Sequence, residues 1–222
     1  MKRYIIFVSR IFFYFLLFSI FLVIIISINI KSKILKSEIS KKEYIVDTLR
    51  IHFVHGSIKN DDCIYKKERL GGYLGGHVEI EIDDCVYGFI NDSLPINFVP
   101  KKNYNSKFEK RTIDNWLEFT KYDKKSTFLI PIDRNQKISL RKILNNYEVA
   151  CPKDYAFFGH RCTSLTAIIL SNSNVFTKFS DFESIVTFFY PRNLRFLLKQ
   201  YAEINNLEVI ENEGISCQNW ES

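Results

Sequence analysis

The stretch HVEIEIDDCVYGFI, residues 77–90, decides the fold class because its polar and apolar residues alternate with the period of a β-strand. The alternation sorts the first strand into two faces, with His77, Glu79 and Glu81 on one and Val78, Ile80 and Ile82 on the other. Asp83 and Asp84 predict a tight turn, after which residues 85–90 return as a second strand. The stretch therefore predicts an antiparallel hairpin.

Shorter patterns around this hairpin predict the remaining elements. Further strands are predicted at residues 49–55, 128–132 and 207–210, the second as an edge strand because it contains Pro131. Helices are predicted at residues 139–147 with Ser139 as N-cap, at 162–170, at 180–189, and from Pro191 to residue 205. Because strands and helices do not alternate in βαβ fashion, we expect an α+β domain with a small antiparallel sheet packed on helices.

The N-terminal segment predicts a membrane anchor. Residues 11–30 read IFFYFLLFSIFLVIIISINI, without one charged residue, and twenty helical residues span about 30 Å, the thickness of the hydrocarbon core. A cleaved signal peptide is the alternative, but its apolar region is usually shorter and ends in a cleavage site of the A-x-A kind, which SINIKSK does not offer. We therefore expect a transmembrane anchor at 1–30 in contact with membrane lipid, a charged juxtamembrane stalk at 31–47 and a soluble domain at 48–222.

The positive charge of the chain is concentrated beside this anchor. The net charge is +6, yet residues 51–222 contain 22 basic and 22 acidic residues, so the whole excess lies in the first fifty residues. Basic residues there are attracted to anionic headgroups. A nucleic-acid-binding domain would instead carry a basic face on its folded part, so no nucleic-acid partner is expected.

Membrane orientation is not decided by charge, because lysines and arginines flank both ends of the span. The five cysteines, at positions 63, 85, 151, 162 and 217, favour an extracytoplasmic domain, where four of them could form two disulfides and leave one thiol. Their pairing cannot be read from the sequence.

Two local features could carry chemistry. Four of the eight glycines lie in GGYLGGHVEI, at positions 71, 72, 75 and 76, and lead directly into His77 at the start of a strand. In DYAFFGHRCTSLTAIIL, Cys162 lies where a helix begins, so its thiolate would meet the positive end of the helix dipole. Read alone, each feature also fits an ordinary loop histidine and a buried apolar cysteine.

Together the two features resemble the circularly permuted branch of the NlpC/P60 superfamily of papain-like thiol enzymes, which includes the lecithin:retinol acyltransferase-like proteins. In that branch the histidine strand precedes the cysteine helix, as His77 precedes Cys162. The segments GGHVEIEIDDCVYGF, FLIPIDRNQKISLRKIL and DYAFFGHRCTS resemble the family's hairpin, middle portion and Tyr…Asn-Cys-Thr segment, with Tyr155 at the matching tyrosine. The resemblance implies a catalytic Cys162–His77 pair, with no cofactor and no metal ion.

The chain departs from the family pattern at two points. The residue before the cysteine is often Asn in these families, whereas here it is Arg161. The third catalytic residue usually lies at the far end of the hairpin, where the polar candidates are Asn91, Asp92 and, on the same face as His77, Glu79. None of the three matches cleanly, so the third residue stays open.

Two rival motifs are weaker. IHFVHGS resembles the His-Gly turn of α/β-hydrolases, but GHRCTS lacks the spacing of a nucleophile elbow, and none of the four histidines lies well after Cys162. His52 and His55 are three residues apart, which places them on opposite faces of a strand, and the chain has no C-x-x-C pair for zinc.

Two functions follow. The first is a membrane-anchored cysteine hydrolase or acyltransferase that cleaves an amide or ester bond of an envelope peptide or lipid, with Cys162 as nucleophile and His77 as general base. The second is a non-catalytic binding or assembly domain of the same fold, which would use the glycine loop and Tyr155, Phe157 and Phe158 as its recognition surface. The oligomeric state is left open.

Overall fold

The computed structural model describes residues 2–39, 44–58, 75–92, 96–102 and 106–221. The helices within these ranges are α1 (Lys2–Leu35), α2 (Ile113–Phe119), α3 (Arg134–Val149), α4 (Cys162–Asn172), α5 (Asp181–Thr187) and α6 (Pro191–Asn205). The strands are β1 (Ile45–His55), β2 (Ser57–Ile58), β3 (Gly76–Ile82), β4 (Cys85–Asn91), β5 (Ser106–Thr112), β6 (Lys125–Asp133), β7 (Val209–Asn212) and β8 (Asn219–Trp220).

Six of these strands form one antiparallel sheet in the order β5-β4-β3-β1-β6-β7, and β2 pairs with β8 beside it. The expected α+β class with an antiparallel sheet is therefore confirmed. The predicted hairpin is present as β3 and β4, where Ile82 pairs with Cys85. Asp83 and Asp84 form its turn with positive φ angles of 51° and 57°. Aspartate tolerates this left-handed conformation better than most residues.

The predicted edge strand at residues 128–132 is instead an inner strand, because β6 lies between β1 and β7. Its pairing with β7 runs only from Lys125 to Phe128, so Pro131 pairs with Thr48 of β1 and has no ladder partner in β7. A proline is tolerated there because no second ladder needs its missing N–H. The prediction that Pro131 lies where no second strand pairs with it was therefore correct, but the prediction of an edge strand was wrong.

Helix α3 begins five residues before the predicted N-cap. The cap is Asp133, whose carboxylate accepts from the backbone N–H of Gln136 at 2.9 Å, while the Gln136 side chain accepts from the Asp133 backbone N–H at 3.0 Å. This reciprocal capping box satisfies two N–H groups, and Ser139 therefore lies inside the helix. The predicted helices beginning at Cys162 and Pro191 are present as α4 and α6.

The sheet is covered differently on its two faces. On one face α3, α4 and α6 pack over an apolar core to which the strands contribute Leu49, Phe53, Val78, Ile80 and Phe128 among others. On the other face α2 places the buried Trp116 against Val54 and Val86. Glu79 and Glu81 lie on this second face and are both buried.

The end of α1 belongs to the core of the domain. The segment Ser9–Leu35 is long and apolar enough to cross a membrane, and its most apolar 18-residue stretch has a mean hydropathy of 3.0. Beyond the predicted boundary at residue 30 the helix continues to Leu35, and Ile30 and Ile34 are both fully buried in the main core. Ser37 then hydrogen-bonds Thr177 at 2.9 Å. The first residues of the expected stalk are therefore packed on the domain, its residues 40–43 lie outside the described ranges, and β1 begins at Ile45.

Candidate thiol site

The backbone before His77 requires a glycine. Gly76 begins β3 with a φ of +92°, and a Cβ atom there would lie 2.4 Å from the carbonyl oxygen of Val54. Only glycine fits so close to a neighbouring strand in this conformation. Two members of the predicted glycine loop, Gly71 and Gly72, lie outside the described residues. His77 follows at the rim of the sheet, with 22% of its side chain exposed.

Cys162 is the first residue of α4, as predicted, and the structure brings it to His77. Its sulfur hydrogen-bonds the His77 side chain and accepts from the backbone N–H of Val78, and it lies 3.8 Å from the Thr163 hydroxyl. The residue is only 3% exposed. The two residues predicted to carry chemistry are thus in contact, although 84 positions separate them in the sequence.

The surroundings of Cys162 favour its thiolate. Burial by itself would raise the pKa of the Cys162 thiol. The charge of His77 and the hydrogen bond to its side chain outweigh burial, so the pKa of Cys162 lies below its ordinary value. The N–H of Val78 and the hydroxyl of Thr163 act in the same direction. By contrast, burial raises the pKa of Cys151 above the ordinary value. A thiolate–imidazolium pair is the arrangement that makes a cysteine nucleophilic.

Tyr155 closes the site on the other side of the sulfur. Its hydroxyl contacts the Cys162 side chain and the Cys162 backbone N–H, and its ring packs on Phe89 at 5.1 Å between centroids. Burial, followed by the adjacent Cys162, raises the pKa of Tyr155. Tyr155 therefore remains a protonated hydroxyl beside the N–H group at which an oxyanion would form.

Glu79 is the acidic partner of His77. Its Oε1 atom lies 3.7 Å from Nε2 of His77 and 3.7 Å from the Arg111 guanidinium, and its Oε2 atom accepts from the Trp116 indole N–H at 2.5 Å. Asn91 lines the cleft beside His77, and Asp92 is exposed. Of the three open candidates for a third residue, the structure thus gives Glu79 a measured contact with the imidazole.

Gly88 makes room for this pair on the neighbouring strand. It lies opposite Glu79, and a Cβ atom at Gly88 would be 2.7 Å from Oε1 of Glu79 and 3.1 Å from Nε2 of His77. Any larger residue would therefore displace the carboxylate or the imidazole. The sequence contains no signal for this role, because it depends on the register between two strands.

A cleft of about 360 Å³ opens onto His77 and Tyr155. Its walls are mainly apolar and include Phe89, Ile90, Ile96 and Phe119, while Arg111 contributes a cation. The buried sulfur of Cys162 contacts both His77 and Tyr155, which line this cleft. A substrate carbonyl in the cleft would first meet these two side chains.

The remaining histidines have separate surroundings. His52 bridges Glu81 at 2.7 Å and Thr127 at 2.9 Å, and His55 contacts Ser126 at 2.7 Å. Burial, then the charge of Arg195, lowers the pKa of His55 to about 4, and burial also lowers the pKa of His160. Among the described residues, no group of three His, Cys, Asp or Glu side chains is placed to hold a metal ion.

The cysteines do not form the two disulfides and one free thiol that the sequence allowed. Cys217 is disulfide-bonded, whereas Cys85, Cys151 and Cys162 carry free thiols. Cys63 lies outside the described residues. A second disulfide would have required Cys85 and Cys151, but both are free thiols and are partly exposed.

Arg161, the departure from the family pattern, stacks on aromatic rings. Its guanidinium lies 3.7 Å from the ring centroid of Phe189 and 4.6 Å from that of Phe157.

Comparisons with protein-family models, curated proteins and solved structures found no match to this chain.

Proposed function

We propose that this chain is a membrane-anchored thiol hydrolase or acyltransferase on a permuted papain-like fold, with Cys162 as nucleophile and His77 as general base. The observation that carries this proposal is the hydrogen bond between the Cys162 sulfur and the His77 imidazole at the N-terminus of α4. The order of the histidine strand and the cysteine helix, together with Tyr155 beside the sulfur, supports the same assignment.

In the proposed reaction the Cys162 thiolate attacks the carbonyl carbon of an amide or ester. The negative charge that develops on the carbonyl oxygen is stabilised by N–H groups at the start of α4 and by the Tyr155 hydroxyl. His77 then donates its proton to the departing amine or alcohol, leaving an acyl thioester on Cys162. Water releases the acid in a hydrolase, and a second amine or alcohol takes the acyl group in an acyltransferase.

We further propose that α1 remains as an anchor and that the domain lies outside the cytoplasm. A signal sequence near the N-terminus can pass the same test of length and apolar composition, but Ile30 and Ile34 near the end of α1 are part of the domain core. The disulfide at Cys217 fits an oxidising compartment. The substrate would then be a peptide or lipid of the cell envelope.

The low exposure of Cys162 favours a second candidate, a non-catalytic binding domain of the same fold. In that case the cleft and the aromatic residues Phe157 and Phe158 would bind a ligand without covalent chemistry. The two candidate functions differ in the fraction of Cys162 that is thiolate near neutral pH, because only the enzyme needs Cys162 as a nucleophile.

The test is the pH profile of alkylation by iodoacetamide, read residue by residue by mass spectrometry in wild type and His77→Ala. The pKa of Cys162 is lowered, so its labelling should fall less steeply than that of Cys151 as the pH falls through neutrality. The pKa of Cys151 is raised, so its labelling should fall about tenfold per pH unit. Comparing profile shapes rather than rates removes the difference in exposure. A Cys162 profile that parallels Cys151 in wild type, or that is unaltered in His77→Ala, contradicts the proposed pair.

A further inference from the structure

An exposed group of aromatic side chains lies next to the cleft. We call it the aromatic surface, and it consists of Phe98, Phe157, Phe158, Phe182, Phe189 and Tyr190. Phe98, Phe158 and Phe182 are 65%, 54% and 60% exposed. Five of the six rings form a continuous contact chain, with centroid distances of 4.8–5.8 Å. So many neighbouring exposed rings are unusual on a protein surface that only water contacts.

This surface is continuous with the helices that hold the membrane-length helix. Phe182 lies on α5, Phe189 and Tyr190 connect α5 to α6, and α1 packs against both of these helices. Ser37, just after α1, contacts Thr177 and accepts from the Tyr201 hydroxyl near the end of α6. Followed backwards from Ser37, α1 reaches Lys33, which interacts electrostatically with Glu183 of α5. The apolar part of α1 therefore leaves the domain along α5, the helix that carries Phe182.

The chemistry of the surface suits the boundary between headgroups and acyl chains. Aromatic side chains concentrate at this level in membrane proteins, and a partly buried arginine can reach a lipid phosphate from it. Arg161 lies among the rings, 3.7 Å from the Phe189 centroid and 5.7 Å from the Tyr190 centroid. Since α1 is fixed to the core through Ile30 and Ile34, the domain has little freedom to turn this face away from the bilayer.

The aromatic surface also borders the cleft. Ile96 and Tyr155 both line the cleft. Phe98 and Phe157 of the aromatic surface each lie two residues further along the chain from one of them. Phe89, Ile90 and Phe119 make the interior of the cleft apolar. An acyl chain that entered from the bilayer would pass over rings and reach the side chains that contact Cys162.

We propose that the aromatic surface lies in the interfacial layer of the membrane that α1 spans, and that the cleft takes its substrate, an acyl-bearing lipid, from that layer. The position of the surface stands on α1 and the exposed rings alone. The substrate class rests on the proposed thiol chemistry at Cys162.

The test uses the full chain in lipid nanodiscs with one added tryptophan, in the variants Phe158→Trp and Phe182→Trp. Ile138→Trp is the matched control, because Ile138 is 57% exposed on α3, whose first turn contacts Asn174 at the end of α4 remote from Cys162. We expect brominated lipid to quench the added fluorescence at the two surface sites at least about twofold more than at the control site. Equal quenching at all three sites overturns the proposed position, including the case in which the surface instead binds a protein or a second copy of the chain.

A second measurement separates this inference from the proposed function. In the same nanodiscs we expect wild type to cleave a thioester phospholipid. Phe158→Ser/Phe182→Ser should lower that rate about tenfold relative to the variant's own rate on a water-soluble thioester. Selective quenching without cleavage of either thioester would contradict the thiol chemistry and leave the membrane position supported. Cleavage of the soluble thioester without selective quenching would contradict the membrane position alone.

Discussion

At the residue scale, Glu79 is the buried carboxylate that lies beside His77. Its carboxylate lies 3.7 Å from the imidazole and is held by the Trp116 indole and by Arg111. A negative charge at this distance in a buried site stabilises the imidazolium form of the histidine. An imidazolium would in turn stabilise the Cys162 thiolate, so in the proposed mechanism Glu79 is a positioning residue that acts through His77.

We predict that Glu79→Gln slows alkylation of Cys162 at pH 7 by about tenfold, because the amide keeps a partner for Trp116 but removes the charge beside His77. Glu109→Gln is the matched control, since Glu109 pairs with the same Arg111 but lies on the edge strand β5. Peptide-resolved alkylation rates measure both variants. Equal rates for Glu79→Gln and wild type would show that this carboxylate does not tune the pair.

The sequence alone selected His77 and Cys162 as candidate catalytic residues but left the third residue open, for a physical reason. In HVEIEI the face that carries His77, Glu79 and Glu81 is polar, which is typical of a strand face in water. In the structure α2 covers this face and buries both glutamates. Burial of Glu79 depends on a contact with Trp116, 37 residues away, which no local pattern reveals.

At the element scale, the last turns of α1 serve two purposes. Their residues continue an apolar run of membrane length, yet Ile30 and Ile34 are fully buried in the domain while Ile28 is 63% exposed. A uniformly apolar helix has no polar face to mark which of its sides meets protein. The sequence therefore predicted the long apolar helix correctly but placed its boundary and a stalk where the helix is already packed on α5 and α6.

We predict that Ile34→Ala lowers the free energy of unfolding of the domain by about 2–5 kcal/mol, because it leaves a cavity in the core. Ile28→Ala removes the same atoms from an exposed position and should change it by less than about 0.5 kcal/mol. Denaturant unfolding of the full chain in detergent micelles measures both. Similar small effects for the two variants would mean that the end of α1 is not part of the folded domain.

Strand β5 and helix α2 were not predicted. β5 is an edge strand whose sequence SKFEKRT contains four charged residues and only Phe108 as a buried apolar side chain, so it shows no apolar alternation. Charged residues are a common protection of sheet edges. Helix α2 has seven residues, too few for a helical period to be recognised, and its one buried residue is Trp116.

At the scale of the whole molecule, a membrane-length helix, an aromatic surface and a thiol site follow one another across one side of the domain. The buried thiol contacts His77 and Tyr155, and these two side chains line a mainly apolar cleft that the exposed rings border. This arrangement agrees with the proposed enzyme and a substrate that stays associated with the membrane. The near-neutral charge of residues 51–222 agrees with the proposal that α1, rather than electrostatic attraction, positions the domain.

The central claim is that Cys162 forms a covalent acyl intermediate. The most direct measurement is the intact mass of the full chain after brief exposure to a p-nitrophenyl ester, followed by peptide mapping. We predict the addition of one acyl group to Cys162, reversed by hydroxylamine, absent from Cys162→Ala and strongly reduced in His77→Ala. Absence of an adduct, or acylation confined to the more exposed Cys85 and Cys151, would contradict the claim.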